Sequence, residues 1–316
     1  MDTRSVGSSG LVVSTLGLGT MTWGRETGAD DAAGQLRAFV DAGGTLVETG
    51  AGYADGDSER LLGRLLADEG LAGELVLATG AGAGDPTGPR RVELGRRALL
   101  GALDASLDRL GRDHVDLWQV QGWSDAVPLA ETLSACEAAV ASGRTRYVGL
   151  ADHTSWQTAL AVAGLRDSRF GAAPVSVQVE YSLVRRHPEA ELADAAAHLG
   201  VGLLAWSPLG RGVLTGTYRS GVPATRADSP QRAAFVRGHA DPRSRRIVQA
   251  VCAAADGLGV EPLQVALAWV RDRPGLASAI AGAQTTDEWV SVLGSTAVTL
   301  PPEITAALDD VSAPGS

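Results

Sequence analysis

Short runs of apolar residues alternate along this chain with stretches whose apolar positions recur at helical spacing. The apolar runs predict strands over residues 16–18, 46–48, 75–78, 115–120, 147–150, 175–179, 202–206 and 277–280. Between them, amphipathic patterns predict helices over 31–41, 58–67, 91–110, 128–142, 189–199, 243–258 and 262–272. Gly43-Gly44, Gly143 and Pro262 punctuate these helices in the expected manner. Residues 5–14, with Gly7 and Gly10 between β-prone pieces, predict an N-terminal hairpin. Strands that are apolar on both faces, each followed by helical sequence, predict a parallel sheet covered by helices. Eight such units without a composition break predict one (β/α)8 TIM barrel spanning residues 1–316 as a single domain.

Two irregular segments follow predicted strands and would lie at the barrel's C-terminal mouth, where sites are built. They are residues 79–89, rich in glycine and proline, and residues 218–241, rich in arginine. After Leu300 the chain carries Pro301-Pro302 and a short helical pattern over 303–311.

Composition narrows the chemistry. The net charge of −10 gives no general attraction to nucleic acid. All 27 cationic residues are arginine, which excludes any mechanism that needs a lysine of this chain. Cys136 and Cys252 lie in apolar helical contexts as core thiols, and no cysteine or histidine spacing suggests a metal site. No apolar run reaches membrane-spanning length, so the expected setting is cytoplasmic, with a small-molecule substrate and neither nucleic acid nor membrane as partner.

At the end of the predicted second strand stand Glu48 and, five residues on, Tyr53. An acid and a phenol at a barrel strand's C-terminal end are candidates for proton transfer.

Taken in order, several motifs resemble the aldo-keto reductase family. They are LGLGTMTWG (16–24), DAGG (41–44), SERLLG (58–63), ALDASL (102–107), VQVEYS (177–182) and WSPLGRGVLTG (206–216). The resemblance implies a barrel with NADP(H) across its mouth. It also implies a tyrosine proton donor, acidified by a lysine that an aspartate holds, and a histidine that orients the carbonyl. Tyr53 matches the tyrosine, but Glu48 stands for the aspartate, Gly80 for the lysine and Gln121 for the histidine. Without a cation, Tyr53 should be a poor acid, and an ionised Glu48 would weaken it further. Gln121 could still hydrogen-bond a substrate oxygen.

The cofactor signature implied by the resemblance is unevenly kept. Gln178 matches a residue that grips the carboxamide, while a Ser-Asn pair has become Ala151-Asp152, followed by His153. Trp206 matches the aromatic that stacks on the nicotinamide, and Ser207, Leu209, Arg211 and Gly212 belong to the pyrophosphate loop. At the adenosine end, Gly282 leads to Gln284 where an arginine for the 2′-phosphate is usual, with Glu288 nearby. NADP(H) is therefore expected to bind weakly or not at all.

Glu48 is set against a solvated, inert carboxylate, and Tyr53 against core packing. Gln121 and Asp152 read as working groups or as drift. His153 could join Glu48 and Asp152 in a proton-transfer set or be a bland histidine. Trp23 and Trp123, with Gly80, are candidates for the substrate pocket, and the two indoles equally for simple packing. Arg186 reads as a structural salt-bridge residue. The leading expectation is a repurposed barrel performing non-redox acid–base chemistry (cyclisation, dehydration or isomerisation) on a fairly apolar metabolite. Tyr53 and Glu48 would handle the proton, with Gln121, His153 or Asp152 helping. The alternatives are an NADP(H)-dependent oxidoreductase with an altered proton donor, and a non-catalytic binding protein.

Overall fold

The computed structural model describes residues 1–71, 73–82, 92–216 and 241–314. A two-stranded antiparallel hairpin, β1 (Thr3–Ser5) and β2 (Val12–Ser14), precedes eight parallel strands. These are β3 (Leu16–Gly19), β4 (Leu46–Glu48), β5 (Val76–Ala81), β6 (Val115–Gln121), β7 (Thr145–Ala151), β8 (Ser176–Glu180), β9 (Gly202–Trp206) and β10 (Leu276–Ala281). They pair in sequence order, and β10 pairs with both β9 and β3, which closes the barrel. Around it lie α1 (Ala29–Asp41), α2 (Asp57–Asp68), α3 (Arg96–Leu110), α4 (Leu129–Ala141), α5 (Ser155–Leu165) and α6 (Leu192–Leu199). They are followed by α7 (Pro242–Leu258), α8 (Pro262–Arg271), α9 (Thr286–Gly294) and α10 (Pro302–Ser312).

The eight predicted strands are all present. Several run further toward the mouth than their apolar runs suggest: β5 continues through Thr79 and Gly80, and β6 through Gln121. Ladder pairing with neighbouring strands carries these polar residues, because the register Gly80↔Gln119 and Gln121↔Ala151 extends the sheet past the last apolar side chain. The third helix starts at Arg96, not near residue 91, with Gly95 at its N-cap. The sixth starts at Leu192 after a separate turn over His187–Glu189, where Pro188 sets the turn. Most of the two predicted mouth segments, residues 83–91 and 217–240, lies outside the described residues.

Two apolar clusters hold the fold. The larger fills the layer between sheet and helices. The smaller fills the barrel's lower interior, where Leu46, Ala78, Leu117, Leu204 and Ile280 meet Val6, Leu11 and Val13 of the hairpin. The hairpin thus plugs the end opposite the mouth, and Gly200 receives the Ser8 N–H at 2.8 Å. Arg186 ties the mouth to α10. It donates to Glu189 at 2.6 Å and to the Asp309 carbonyl at 2.8 Å, a structural role as expected. Among the described residues, no single helix is long and apolar enough to cross a membrane.

Because Val6 and Val13 are fully buried in that plug, Val6→Ala and Val13→Ala should each lower the unfolding free energy by about 1–3 kcal/mol. Urea denaturation followed by far-UV circular dichroism would measure this, and a loss near zero would show the hairpin to be an appendage.

Candidate active site

Strand β4 is buried along its whole length and ends at Glu48. The chain then enters a tight turn in which Tyr53 donates its backbone N–H to the Gly50 carbonyl at 3.0 Å. Ala54 (φ 49°) and Asp55 (φ 52°) both adopt left-handed backbone, followed by Gly56 at φ 86°. For the two non-glycine residues this conformation costs about 1–2 kcal/mol each, and such strain concentrates at functional sites. A side chain at Gly56 would collide with Arg109, which packs over the turn. Arg109 also pairs with the fully buried Glu59 at 2.6 Å, and Glu59 accepts a hydrogen bond from Thr79 Oγ1 at 2.6 Å. One buried ion pair therefore braces both the Tyr53 turn and the strand that carries Gly80.

The Tyr53 hydroxyl donates to Glu48 Oε1 at 2.9 Å. Gln178, reaching across the barrel from β8, donates its amide to the same oxygen at 3.4 Å. Gln119 on β6 in turn donates to Gln178 Oε1. Burial pushes the Glu48 carboxyl up to about 7, against the opposing pull of the Tyr53 and Gln178 hydrogen bonds. Tyr53 is pushed well above the ordinary phenol, first by burial, then by the Glu48 charge and hydrogen bond, then by the Asp152 charge. Near neutral pH the pair's exchangeable proton therefore belongs to Glu48.

Above this pair, Asp152 acts as a bracket. It accepts from Gln121 Nε2 at 3.3 Å and from Trp206 Nε1 at 3.0 Å, joining the ends of β6, β7 and β9. Its left-handed backbone (φ 57°) suits an aspartate. Among the described residues, Glu48 takes its hydrogen bonds from Tyr53 and Gln178, and His153 is bonded elsewhere. Its Nδ1 meets the Ala151 carbonyl at 2.9 Å and its ring meets Trp123 edge-on at 6.0 Å, while burial lowers its pKa and keeps it neutral. Trp123 also packs against Trp156, which is half exposed on the first turn of α5, so an aromatic rim exists without Trp23. Trp23 lines no pocket: it is fully buried in the sheet–helix core, and its indole N–H goes to Gln35 Oε1 at 2.9 Å. A tryptophan following a strand faces the mouth only if the turn after that strand points outward. Here Trp23 folds back against Thr20, donating its backbone N–H to that carbonyl at 3.0 Å.

Gly80 has ordinary backbone, and a Cβ there would meet nothing closer than the Gln119 carbonyl at 3.5 Å. The position would accept a Cβ without displacing a described neighbour. Gln119, Glu180 and Trp156 had not been singled out. The first two could have been, because Gln119/Gln121 on β6 and Gln178/Glu180 on β8 are polar at alternate positions within apolar strands, and so face one side. Glu180 holds Arg211 at 3.2 Å and Arg185 at 3.6 Å, and Arg211 lies 5.2 Å over the Trp206 ring.

Residues 15–313 match the model of the aldo/keto reductase family. The chain belongs to the aldo/keto reductase family. It is similar to Protein tas of Escherichia coli K12, at 32% identity over 98% of this chain and 97% of that one. It is similar to the Uncharacterized oxidoreductase YrpG of Bacillus subtilis 168, at 32% over 98% and 96%. A Probable voltage-gated potassium channel subunit beta of Arabidopsis thaliana is 32% identical over 90% of this chain and 87% of its own.

The mouth of this family member fits a nicotinamide cofactor along one edge. Trp206 is tethered as a platform, the half-exposed Arg211 pairs with Glu180 beside it, and Ser207, Gly210, Arg211 and Gly212 adopt the left-handed backbone of a tight turn whose N–H groups suit an anion. The Leu209 carbonyl pins this loop, accepting from the Gly212 and Leu214 N–H groups at 3.1 Å each. Beyond the exposed Gly282, the Gln284 N–H donates to Glu288 Oε2 at 2.9 Å, so a carboxylate stands at the start of α9. Gln178 is turned toward Glu48, and its amide is engaged at both ends inside the barrel.

Two consequences can be measured. Gln178→Leu removes a hydrogen bond that favours the Glu48 carboxylate, so the Glu48 midpoint should rise by about one pH unit in a carboxyl NMR titration. The raised carboxyl also bears on stability. Glu48 keeps its proton to higher pH in the fold than in the unfolded chain, so its contribution is complete below the ordinary carboxylate range and drains away as pH rises through about 7. Glu48→Gln, which cannot ionise, should gain in Tm over the parent above that pH and differ little in mild acid. Parallel Tm curves would refute it.

Proposed function

We propose that this family member is a nicotinamide-dependent oxidoreductase of a small molecule, with the Glu48–Tyr53 pair as its altered proton donor. The observation that carries this reading is the 2.9 Å Tyr53–Glu48 hydrogen bond to a buried carboxyl whose proton is retained to about pH 7. The family match and the name of the B. subtilis relative favour it over non-redox acid–base chemistry, for which the comparisons hold no support. Gln284 and the Glu288 carboxylate at the start of α9 support weak binding of a phosphorylated cofactor, because a 2′-phosphate gains no guanidinium from either.

The cofactor, when bound, supplies hydride to the electrophilic carbon. Tyr53 donates its O–H to the atom that gains charge, and Glu48, in its acid form, returns a proton to the tyrosine oxygen. This replaces acidification by a lysine with replenishment by a carboxylic acid, so no tyrosinate forms beside Glu48. Gln121 and Trp206, both bonded to Asp152, shape the mouth above the pair.

Activity should fall on the alkaline side as Glu48 loses its proton, with a limb near pH 7. Glu48→Gln and Tyr53→Phe should each lower kcat by about 10²–10⁴-fold. Gly80→Lys combined with Gln121→His should move the Glu48 limb downward, because a cation beside the carboxyl favours its ionised form. Steady-state kinetics across pH decide this, and a Glu48→Gln variant with parental turnover and an unchanged limb would sink the donor assignment.

A further inference from the structure

Burying a carboxylate is costly unless a cation shares the burial. Three carboxylates are buried among the described residues: Glu48, Glu59 and Glu180. Glu59 holds Arg109, and Glu180 holds Arg211 and Arg185. Glu48, 5% exposed, differs from both: its hydrogen bonds come from a phenol and an amide, and no cation among the described residues pairs with it. One position beside it bears no side chain. Gly80 lies on β5, two residues beyond Ala78, which pairs with Glu48, so both positions open to the same face. There a Cβ would meet only the Gln119 backbone and Cβ, no nearer than 3.5 Å. Asp152 adds a second negative charge that acts on Tyr53.

We infer that the cation missing from Glu48 is the substrate itself, and that this site takes a carbon–nitrogen double bond, an imine or its iminium ion, rather than a carbonyl. The inference rests on the oxidoreductase reading above. An imine nitrogen is far more basic than a carbonyl oxygen, so it takes a whole proton before reduction and needs no acidified tyrosine. The Tyr53 O–H passes its proton to the nitrogen while the Glu48 O–H passes its own to the tyrosine oxygen. An N–H bond forms, the Glu48 O–H bond breaks, and an iminium ion stands against the Glu48 carboxylate with Tyr53 neutral. The C–H bond then forms with hydride from a reduced nicotinamide, which is oxidised. The C=N π pair becomes the nitrogen lone pair of the amine, and Glu48 regains its proton from solvent. The substrate's charge thus occupies the electrostatic place of the absent lysine, and the same carboxylate that would hinder a tyrosine acting on a ketone stabilises an iminium ion.

The test begins without cofactor, on the whole protein. Tryptophan fluorescence titrations compare a panel of cyclic secondary amines, such as tetrahydroisoquinoline, with ketones matched ring for ring, such as tetralone. Amines should bind about tenfold more tightly or better. That preference should vanish in Glu48→Gln, and also in Gly80→Lys, where the chain supplies its own cation. Ketones binding as well as amines, or an amine preference that survives Glu48→Gln, would overturn the inference. A second arm supplies reduced nicotinamide with the matched cyclic imines and ketones. Faster reduction of the imines supports the inference, and reduction of ketones alone overturns it while leaving the oxidoreductase reading intact. Reduction of neither, beside a Glu48-dependent amine preference, would sink the oxidoreductase reading and leave the cationic-nitrogen site standing.

Discussion

Closure of the parallel ladder is the constraint on which everything else in this molecule depends. Once β10 pairs with both β9 and β3, every inward side chain is committed to a space from which water is largely excluded. In the lower half that space is filled by aliphatic residues and sealed by the hairpin. In the upper half it holds Glu48, Gln119 and Gln178, which hydrogen-bond in series where solvent is scarce, with Gln119 Oε1 left over at the end among the described residues. The chain Tyr53–Glu48–Gln178–Gln119 is the result.

That chain sets the chemistry. Dehydration of Glu48 gives it a proton that it keeps close to neutral pH, and in the proposed reaction its contact with Tyr53 makes the phenol a conduit rather than an acid in its own right. The strained turn that carries Tyr53 is held by the Glu59–Arg109 pair behind it. A carboxylate paired with arginine and, among the described residues, one bonded only to neutral groups therefore stand on either side of the same turn. The contrast between Glu59 and Glu48 is the clearest electrostatic asymmetry in the barrel, since burial is similar and only the partner differs.

Much of the architecture was legible because its signals are local. Apolar runs marked all eight strands, and Pro262 marked where one helix begins, whereas the helices that begin at Arg96 and Leu192 start later than their apolar patterns suggest. Glu48 and Tyr53 could be placed at a strand end by position alone. Trp23 could not, because whether an indole after a strand faces the mouth or the helix layer depends on the turn between them. His153 was open for the same reason, and its ring packs edge-on against Trp123 while Nδ1 meets the Ala151 carbonyl.

By itself the sequence determined the barrel, the order of its strands, the presence of an acid and a phenol at one strand end, and the absence of any lysine. These follow from periodicity and residue identity, which are properties of neighbouring positions. Only the tertiary structure decided that Gln178 turns inward to Glu48, that Asp152 binds Gln121 and Trp206 together, and that Glu48 lies buried beside neutral groups. Each of those is a meeting of side chains from strands far apart in the chain. Burial, which fixes the proton on Glu48, exists only once the barrel has closed around it.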